Sequence, residues 1–156
     1  ITVVGQCVGA GDYAQARRYN RKLMLISWLL IAASAAAILT SLPLLLNLYN
    51  ISDEARVLSA QLVRLHNIPA IALWCLSFTL PNTLRAAGDA RFTMVVSIVS
   101  MAVFRIGFSV VLGIWMGMGA IGVWIAMDID WVCRVICFVA RYFSGAWTRK
   151  YQNYQA

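Results

Sequence analysis

The stretch Leu80-Pro-Asn-Thr-Leu-Arg-Ala-Ala-Gly-Asp-Ala-Arg-Phe-Thr-Met94 separates two long apolar segments and decides how the chain folds. Pro81 removes a backbone donor near the end of one helix, and Gly88 can supply the positive φ that stops it. Asp89 follows at the position expected for the N-cap of the next helix. The stretch therefore predicts a helix end, a tight turn and a helix start, and we call residues 80–94 the hinge.

The composition is that of a membrane protein. Hydrophobic residues make up 62% of the 156 residues, only 12% are charged, and the mean hydropathy is +0.74. A formal net charge of +7 is compatible with nucleic-acid binding, but the 13 basic residues stand beside apolar runs rather than on a solvated basic face. We therefore expect the partner to be a lipid bilayer and not nucleic acid.

Four apolar runs are long enough to cross a bilayer. At a rise of about 1.5 Å per residue, a helix of this length covers a hydrocarbon core of roughly 30 Å. The predicted spans are residues 23–46, 58–80, 92–115 and 119–143.

The N-terminal part repeats the pattern of the hinge. Residues 1–9 have the character of a helix tail, so we expect the chain to be part of a longer one. Gly9-Ala-Gly-Asp12 again combines a helix stop with a capping Asp. The basic segment 13–22 predicts an interfacial helix on lipid headgroups. The fold class is therefore an all-α membrane protein with four transmembrane helices and the tail of a preceding one.

The distribution of Lys and Arg predicts the orientation in the membrane. The segment 13–22, the hinge and residues 141–150 hold four, two and three basic residues, whereas the connection 47–57 holds one. Cytoplasmic loops carry the excess of Lys and Arg. We expect a multi-pass protein of the inner cell membrane with a cytoplasmic C-terminus.

The second predicted span contains an unusual number of polar residues. Gln61, Arg64 and Asn67 recur at helical spacing, which predicts a side turned toward protein or water. They are candidates for a substrate or ion pathway, or for ordinary polar contacts between helices. His66 is the one histidine of the chain, and it is either a proton-linked group or a hydrogen-bonding neighbour.

Buried charges in the third and fourth spans predict a clamp. If those spans fold back about the turn at 117–118, Arg105 and Asp130 lie at the same height, about 18 Å from the turn. Arg134 follows Asp130 by four residues and shares its helical face. We expect Arg105, Asp130 and Arg134 to form one hydrogen-bonded cluster, because a lone ion in the bilayer costs several kcal/mol.

Asp128 is separated from that cluster by the geometry of the helix. A two-residue step turns it about 200° away from Asp130. An unpaired carboxylate in a low dielectric resists ionisation, so Asp128 is the candidate for a titrating group that faces a cavity. The alternative is a protonated or water-bridged Asp without a role in transport.

Other chemistry is not indicated. The four cysteines form no C-x-x-C pair, and packing is the simpler interpretation of them, so no metal or cofactor is expected. Neither H-E-x-x-H nor G-x-S-x-G occurs, so we do not expect an enzyme.

Several short motifs, in this order and spacing, resemble the C-terminal part of the multidrug and toxic compound extrusion (MATE) family. They are Val4-Gly-Gln6, Gly9-Ala-Gly-Asp12, Leu80-Pro-Asn-Thr-Leu-Arg85, Arg91-Phe-Thr-Met94, Phe104-Arg-Ile106, Gly122-Val-Trp-Ile-Ala-Met127 and Asp130-Trp131 with Arg134.

The resemblance implies a fold of twelve helices in two lobes, of which this chain would hold the end of span eight, in residues 1–9, and spans nine to twelve. It also implies a missing N-terminal lobe as partner, and export of drugs or other amphipathic organic cations by antiport with H⁺ or Na⁺. The alternatives are a lipid-linked glycan flippase of the same superfamily, and an independent four-helix exporter or accessory subunit.

Overall fold

The computed structural model describes residues 1–49 and 51–147, and these ranges are helical with short connections and no strand. The α-helices are α1 (Thr2–Gly9), α2 (Tyr13–Leu48), α3 (Asp53–Trp74), α4 (Leu80–Ala86), α5 (Ala90–Ser100) and α6 (Gly119–Phe143). Three π-helical segments extend them, and we number these π1 (Cys75–Thr79), π2 (Met101–Gly107) and π3 (Val110–Trp115).

The all-α membrane fold predicted from the sequence is confirmed. Within the described residues, three continuous helices are long and apolar enough to cross a membrane: Tyr13–Leu48, Asp53–Ala86 and Ala90–Trp115. The fourth predicted span is present as α6, which begins and ends at the predicted residues. Because α6 carries three charges in its middle, it is not among those three helices, and its crossing of the bilayer remains a prediction.

The sequence predicts a separate interfacial helix over residues 13–22, and this prediction is wrong. The segment forms the first turns of α2, which runs unbroken for 36 residues, or about 54 Å. No Gly or Pro interrupts the chain where the basic and apolar parts meet. Asn20 also anchors this end, because its Oδ1 accepts a hydrogen bond of 2.6 Å from Thr83 Oγ1 in the buried interface with α4.

Asp12 caps α2 as predicted, since its Oδ1 accepts a hydrogen bond of 2.9 Å from the backbone N–H of Gln15. Asp12→Ala is expected to destabilise the protein by about 1 kcal/mol, the usual value of such a cap. The measurement is the apparent melting temperature of the full-length protein in detergent. Asp12→Asn keeps the acceptor and serves as the control, so an equal loss in both variants would rule out the cap as the cause.

The hinge has the predicted turn, but its acid has a different role. Gly88 adopts a φ of +83°, as a helix stop at this position requires. Asp89 occupies the N-cap position of α5, but its side chain accepts no capping hydrogen bond from a backbone N–H of that helix. Its buried Oδ2 instead accepts a hydrogen bond of 2.7 Å from Arg141 Nε near the end of α6. The hinge is therefore fastened to the last helix.

The π1 segment ends two residues before Pro81. Proline cannot donate a backbone hydrogen bond, and its ring clashes with the carbonyl four residues earlier, here that of Ser77. The wider turn of a π-helix relieves that clash while the helix continues into α4.

The ends of α1, α4 and α6 meet in one hydrophobic core. Its buried members include Val8 of α1, Leu84 of α4 and Phe138 of α6, with Trp147 beyond the end of α6. Ala16 brings the start of α2 to the same cluster. The basic segment, the hinge and the end of α6 therefore lie at one end of the bundle.

Candidate functional site

Asp130 is the centre of a buried polar cluster between α5 and α6. Its carboxylate is fully buried and accepts hydrogen bonds from Arg134 Nε, at 3.0 Å, and from the Ser100 hydroxyl. Arg134 also donates from a terminal nitrogen to the backbone carbonyl of Ser97, at 3.2 Å, and its guanidinium lies 5.8 Å from the centre of the Phe78 ring. The cluster fastens α6 to α5 inside the bundle.

Arg105 does not belong to this cluster, so the predicted contact with Asp130 is wrong. The ion pairs among residues 1–49 and 51–147 are Arg134 with Asp130 and Arg141 with Asp89. Arg105 lies half-buried in π2, and its backbone carbonyl accepts a hydrogen bond from the Ser109 hydroxyl. Ser100, five residues earlier, occupies the place expected for Arg105.

The π-helical segments account for this displacement. Near the turn, Gly122 packs against Gly113, whereas Asp130, eight residues further along α6, contacts Ser100, thirteen residues before Gly113. A π-helix closes i→i+5 hydrogen bonds, so each turn contains more residues and the same height uses more of the sequence. All of π2 and part of π3 lie between Ser100 and Gly113. Equal numbers of residues counted from the turn therefore do not reach equal heights in the third span and in α6.

The polar residues of α3 are separated rather than gathered on one side. Gln61 and Arg64 are exposed on the described surface, whereas Asn67 is buried and donates a hydrogen bond of 2.8 Å to the carbonyl of Val63. Over six residues an α-helix turns through 600°, which leaves Asn67 about 120° from Gln61. Asn67 therefore has the ordinary local contact, while Gln61 and Arg64 form an exposed polar pair.

His66 lies between two tryptophans of α6. Its ring centre is 5.0 Å from that of Trp124 and 5.4 Å from that of Trp131, and both contacts are edge-on. Asp128 stands between those tryptophans in the sequence, and its buried Oδ1 has no hydrogen-bond partner among the described residues. The sequence indicates His66 and Asp128 as separate candidates, and its spacing does not place them at one helix contact.

The tryptophans were missed because they look like ordinary apolar residues of a span. One signal was available: Trp124, Asp128 and Trp131 follow each other at intervals of four and three residues, which is the spacing of one helical face. Within residues 1–49 and 51–147, no group of three His, Cys, Asp or Glu side chains is placed to hold a metal ion.

The surface of the bundle is largely apolar, whereas Asp89, Asp130 and Arg134 are buried inside it. Large side chains such as Leu30, Ile98 and Ile114 are 60% or more exposed, and they lie on helices of spanning length. This arrangement is the reverse of that in a soluble protein and defines a multi-pass membrane protein.

The sequence model of the MatE family matches residues 1–111, and the chain belongs to this family. The family resemblance seen in the motifs is thereby confirmed.

The chain is similar to several curated proteins over nearly its whole length. It is 27% identical over 152 residues to the uncharacterized transporter YisQ of Bacillus subtilis (strain 168), which covers 95% of this chain and 32% of that protein. It is 25% identical over 154 residues to multidrug and toxin extrusion protein 1 of Homo sapiens and 22% identical over 150 residues to that of Oryctolagus cuniculus. These matches cover 97% and 96% of the chain and 26% of each relative.

The chain therefore spans between a quarter and a third of the length of the curated relatives it matches. No solved structure matches it.

Proposed function

We propose that this chain is part of a secondary active antiporter that exports drugs or other organic cations in exchange for H⁺ or Na⁺. The observation that carries the proposal is membership of the MatE family, together with relatives named as multidrug and toxin extrusion proteins. The proposed activity needs no covalent chemistry, only alternating access to a pathway through the membrane.

The packing of the chain suits one part of such a transporter. Asp130 and Asp89 are each neutralised by an arginine of α6, at 3.0 and 2.7 Å, so the bundle carries these acids without exposing them to lipid. Both pairs fasten the hairpin formed by α5 and α6 into one unit. A lobe that rocks as a rigid body during transport requires such internal fastening.

The position of the basic residues supports the proposed orientation. The base-rich start of α2, the hinge and the end of α6 pack into one hydrophobic cluster, as a common cytoplasmic side requires. Arg56 lies at the start of α3, at the other end of a helix that leads to the hinge. We therefore place the hinge and the end of α6 in the cytoplasm and the protein in the inner cell membrane, with α6 as the fourth span.

Gln61 and Arg64 are the residues of α3 that we assign to the pathway. They are exposed on the described surface, although they lie inside a span that would otherwise contact lipid. Polar side chains at this depth turn toward protein or a water-filled cavity. We propose that they face the N-terminal lobe that the family resemblance implies, across a cavity that takes an amphipathic cation.

The test is transport by the full-length protein reconstituted in liposomes. Uptake of ethidium, an organic cation, is followed by fluorescence after a proton or a sodium gradient is imposed in the direction that drives exchange. We expect uptake above that of protein-free liposomes with one of the two gradients, and its collapse when an ionophore dissipates that gradient. A monodisperse protein that accumulates no organic cation under either gradient would contradict the proposal.

A further inference from the structure

The contact between α3 and α6 holds three buried polar atoms without a hydrogen-bond partner among the described residues. They are His66 Nδ1 on α3, and Asp128 Oδ1 and Trp131 Nε1 on α6. Trp131 as a whole is only 3% exposed. A buried polar atom without a partner costs roughly 1–3 kcal/mol, so three at one helix contact require an explanation.

The side chains of His66, Asp128 and Trp131 lie at one contact between α3 and α6. Trp124 precedes Asp128 by four residues and Trp131 follows it by three, so all three lie on one face of α6. The His66 ring contacts both tryptophans, with centres 5.0 and 5.4 Å away. His66 therefore packs against the part of α6 that contains Asp128. Trp124 and Trp131 flank Asp128 along this helix, one turn before it and one turn after it.

The neighbouring charges leave Asp128 without a counter-ion in the described part of the chain. Asp130 is turned about 200° away on the same helix and is neutralised by Arg134. Arg64, on α3, is exposed and is itself about 200° from His66. Among the described residues, none of the other charged or titratable groups on α6 or on the elements packed against it forms an ion pair with Asp128. These groups include Asp53, Glu54 and Arg56 of α3, Cys75 of π1, Arg85 of α4, Arg91 of α5, Arg105 of π2, and Cys133, Cys137 and Arg141 of α6.

We propose that Asp128 and His66 form a proton-binding site of the transport cycle, joined by one bridging water. This inference rests on the proposed antiport and names its coupling ion as H⁺. The three atoms complement a water molecule: the indole N–H donates, the carboxylate accepts, and the imidazole nitrogen does either. A sodium ion is a poor fit, because the three unpartnered atoms include only one carboxylate oxygen to bind it, and one of them is an indole N–H donor.

The free energy of a buried charge favours a proton as the ion that this site binds and releases. A carboxylate without a cation costs several kcal/mol in the interior of a bilayer, and binding one proton at Asp128 removes that charge. The proton enters from one side of the membrane, resides on the Asp128 carboxyl with His66 as its partner through the water, and leaves to the other side. No bond other than O–H or N–H is formed or broken.

The test compares four forms of the full-length protein in liposomes: the wild type, Asp128→Asn, His66→Phe and Asp53→Asn. Asp53 is an exposed acid in the first turn of α3, outside the site, and its variant is the matched control. Two quantities are measured: ethidium uptake driven by an imposed pH gradient over a range of pH, and exchange of ethidium without a gradient, which reports folding and substrate binding.

We expect Asp128→Asn to lose gradient-driven uptake while it keeps exchange, and Asp53→Asn to behave as the wild type. His66→Phe preserves the ring between the tryptophans and is expected to displace the pH dependence of uptake. Wild-type uptake and pH dependence in Asp128→Asn would overturn the inference. If that variant does not fold, His66→Phe decides, and an unchanged pH dependence overturns the inference.

The outcomes also separate this inference from the proposed function. A wild type driven by a sodium gradient and not by a proton gradient leaves the antiport standing and overturns the proton site alone. A wild type that takes up no organic cation under either gradient overturns both.

Discussion

Asp130→Leu is expected to destabilise the full-length protein by about 3–5 kcal/mol, the range found when one partner of a buried ion pair is removed. Arg134 is 92% buried, and the Asp130 carboxylate is its ion-pair partner at 3.0 Å. Without that acid the guanidinium keeps only the Ser97 carbonyl and the face of the Phe78 ring. The apparent melting temperature in detergent, and the yield of monodisperse protein, measure the loss.

The control for this variant is removal of both charges. Asp130→Leu combined with Arg134→Met replaces the pair by apolar side chains, which is often neutral when the whole pair is exchanged. We therefore expect the double variant to recover most of the stability. If it is as unstable as Asp130→Leu alone, the loss comes from the shape of the Asp130 side chain rather than from a stranded charge.

Local features of this fold are readable from the sequence because they depend on neighbours along the chain. The bounds of α6, the stops at Gly11 and Gly88 and the cap at Asp12 all follow from residues within one or two turns. The contact between Asp130 and Arg134 belongs to the same group, since a four-residue spacing places both on one helical face.

Contacts between helices are not readable in this way when the rise changes along a span. Arg105 was placed beside Asp130 by counting equal steps from the turn, but π2 and π3 use more residues for the same height. No Pro or charge pattern marks π2 in the sequence. The contact of His66 with Trp124 and Trp131 has a similar origin, because it requires α3 to lie against α6, which spacing within each helix does not determine.

The π-helical part of the third span is held close to α6 at Gly122. A Cβ added at this glycine would lie 2.7 Å from the carbonyl carbon of Leu112 and 2.8 Å from the nitrogen of Gly113. These are backbone atoms, so they cannot move aside by a rotamer change. The third span and α6 approach each other closely here because Gly122 has no side chain.

Gly122→Ala is therefore expected to destabilise the protein, in spite of the better helix propensity of alanine. The propensity gain is about 1 kcal/mol, whereas forcing a methyl group into a closed contact costs about 1–3 kcal/mol and separates the hairpin near its turn. We expect a lower apparent melting temperature of the full-length protein in detergent.

Gly107→Ala is the matched control, because its added Cβ meets only the Ala102 carbonyl oxygen at 3.8 Å, an ordinary contact. We expect this variant to be as stable as the wild type or slightly more stable. Equal melting temperatures for Gly122→Ala and Gly107→Ala would show that the two helices can move apart near their turn without loss of stability. The close approach at Gly122 would then not be what holds the third span against α6.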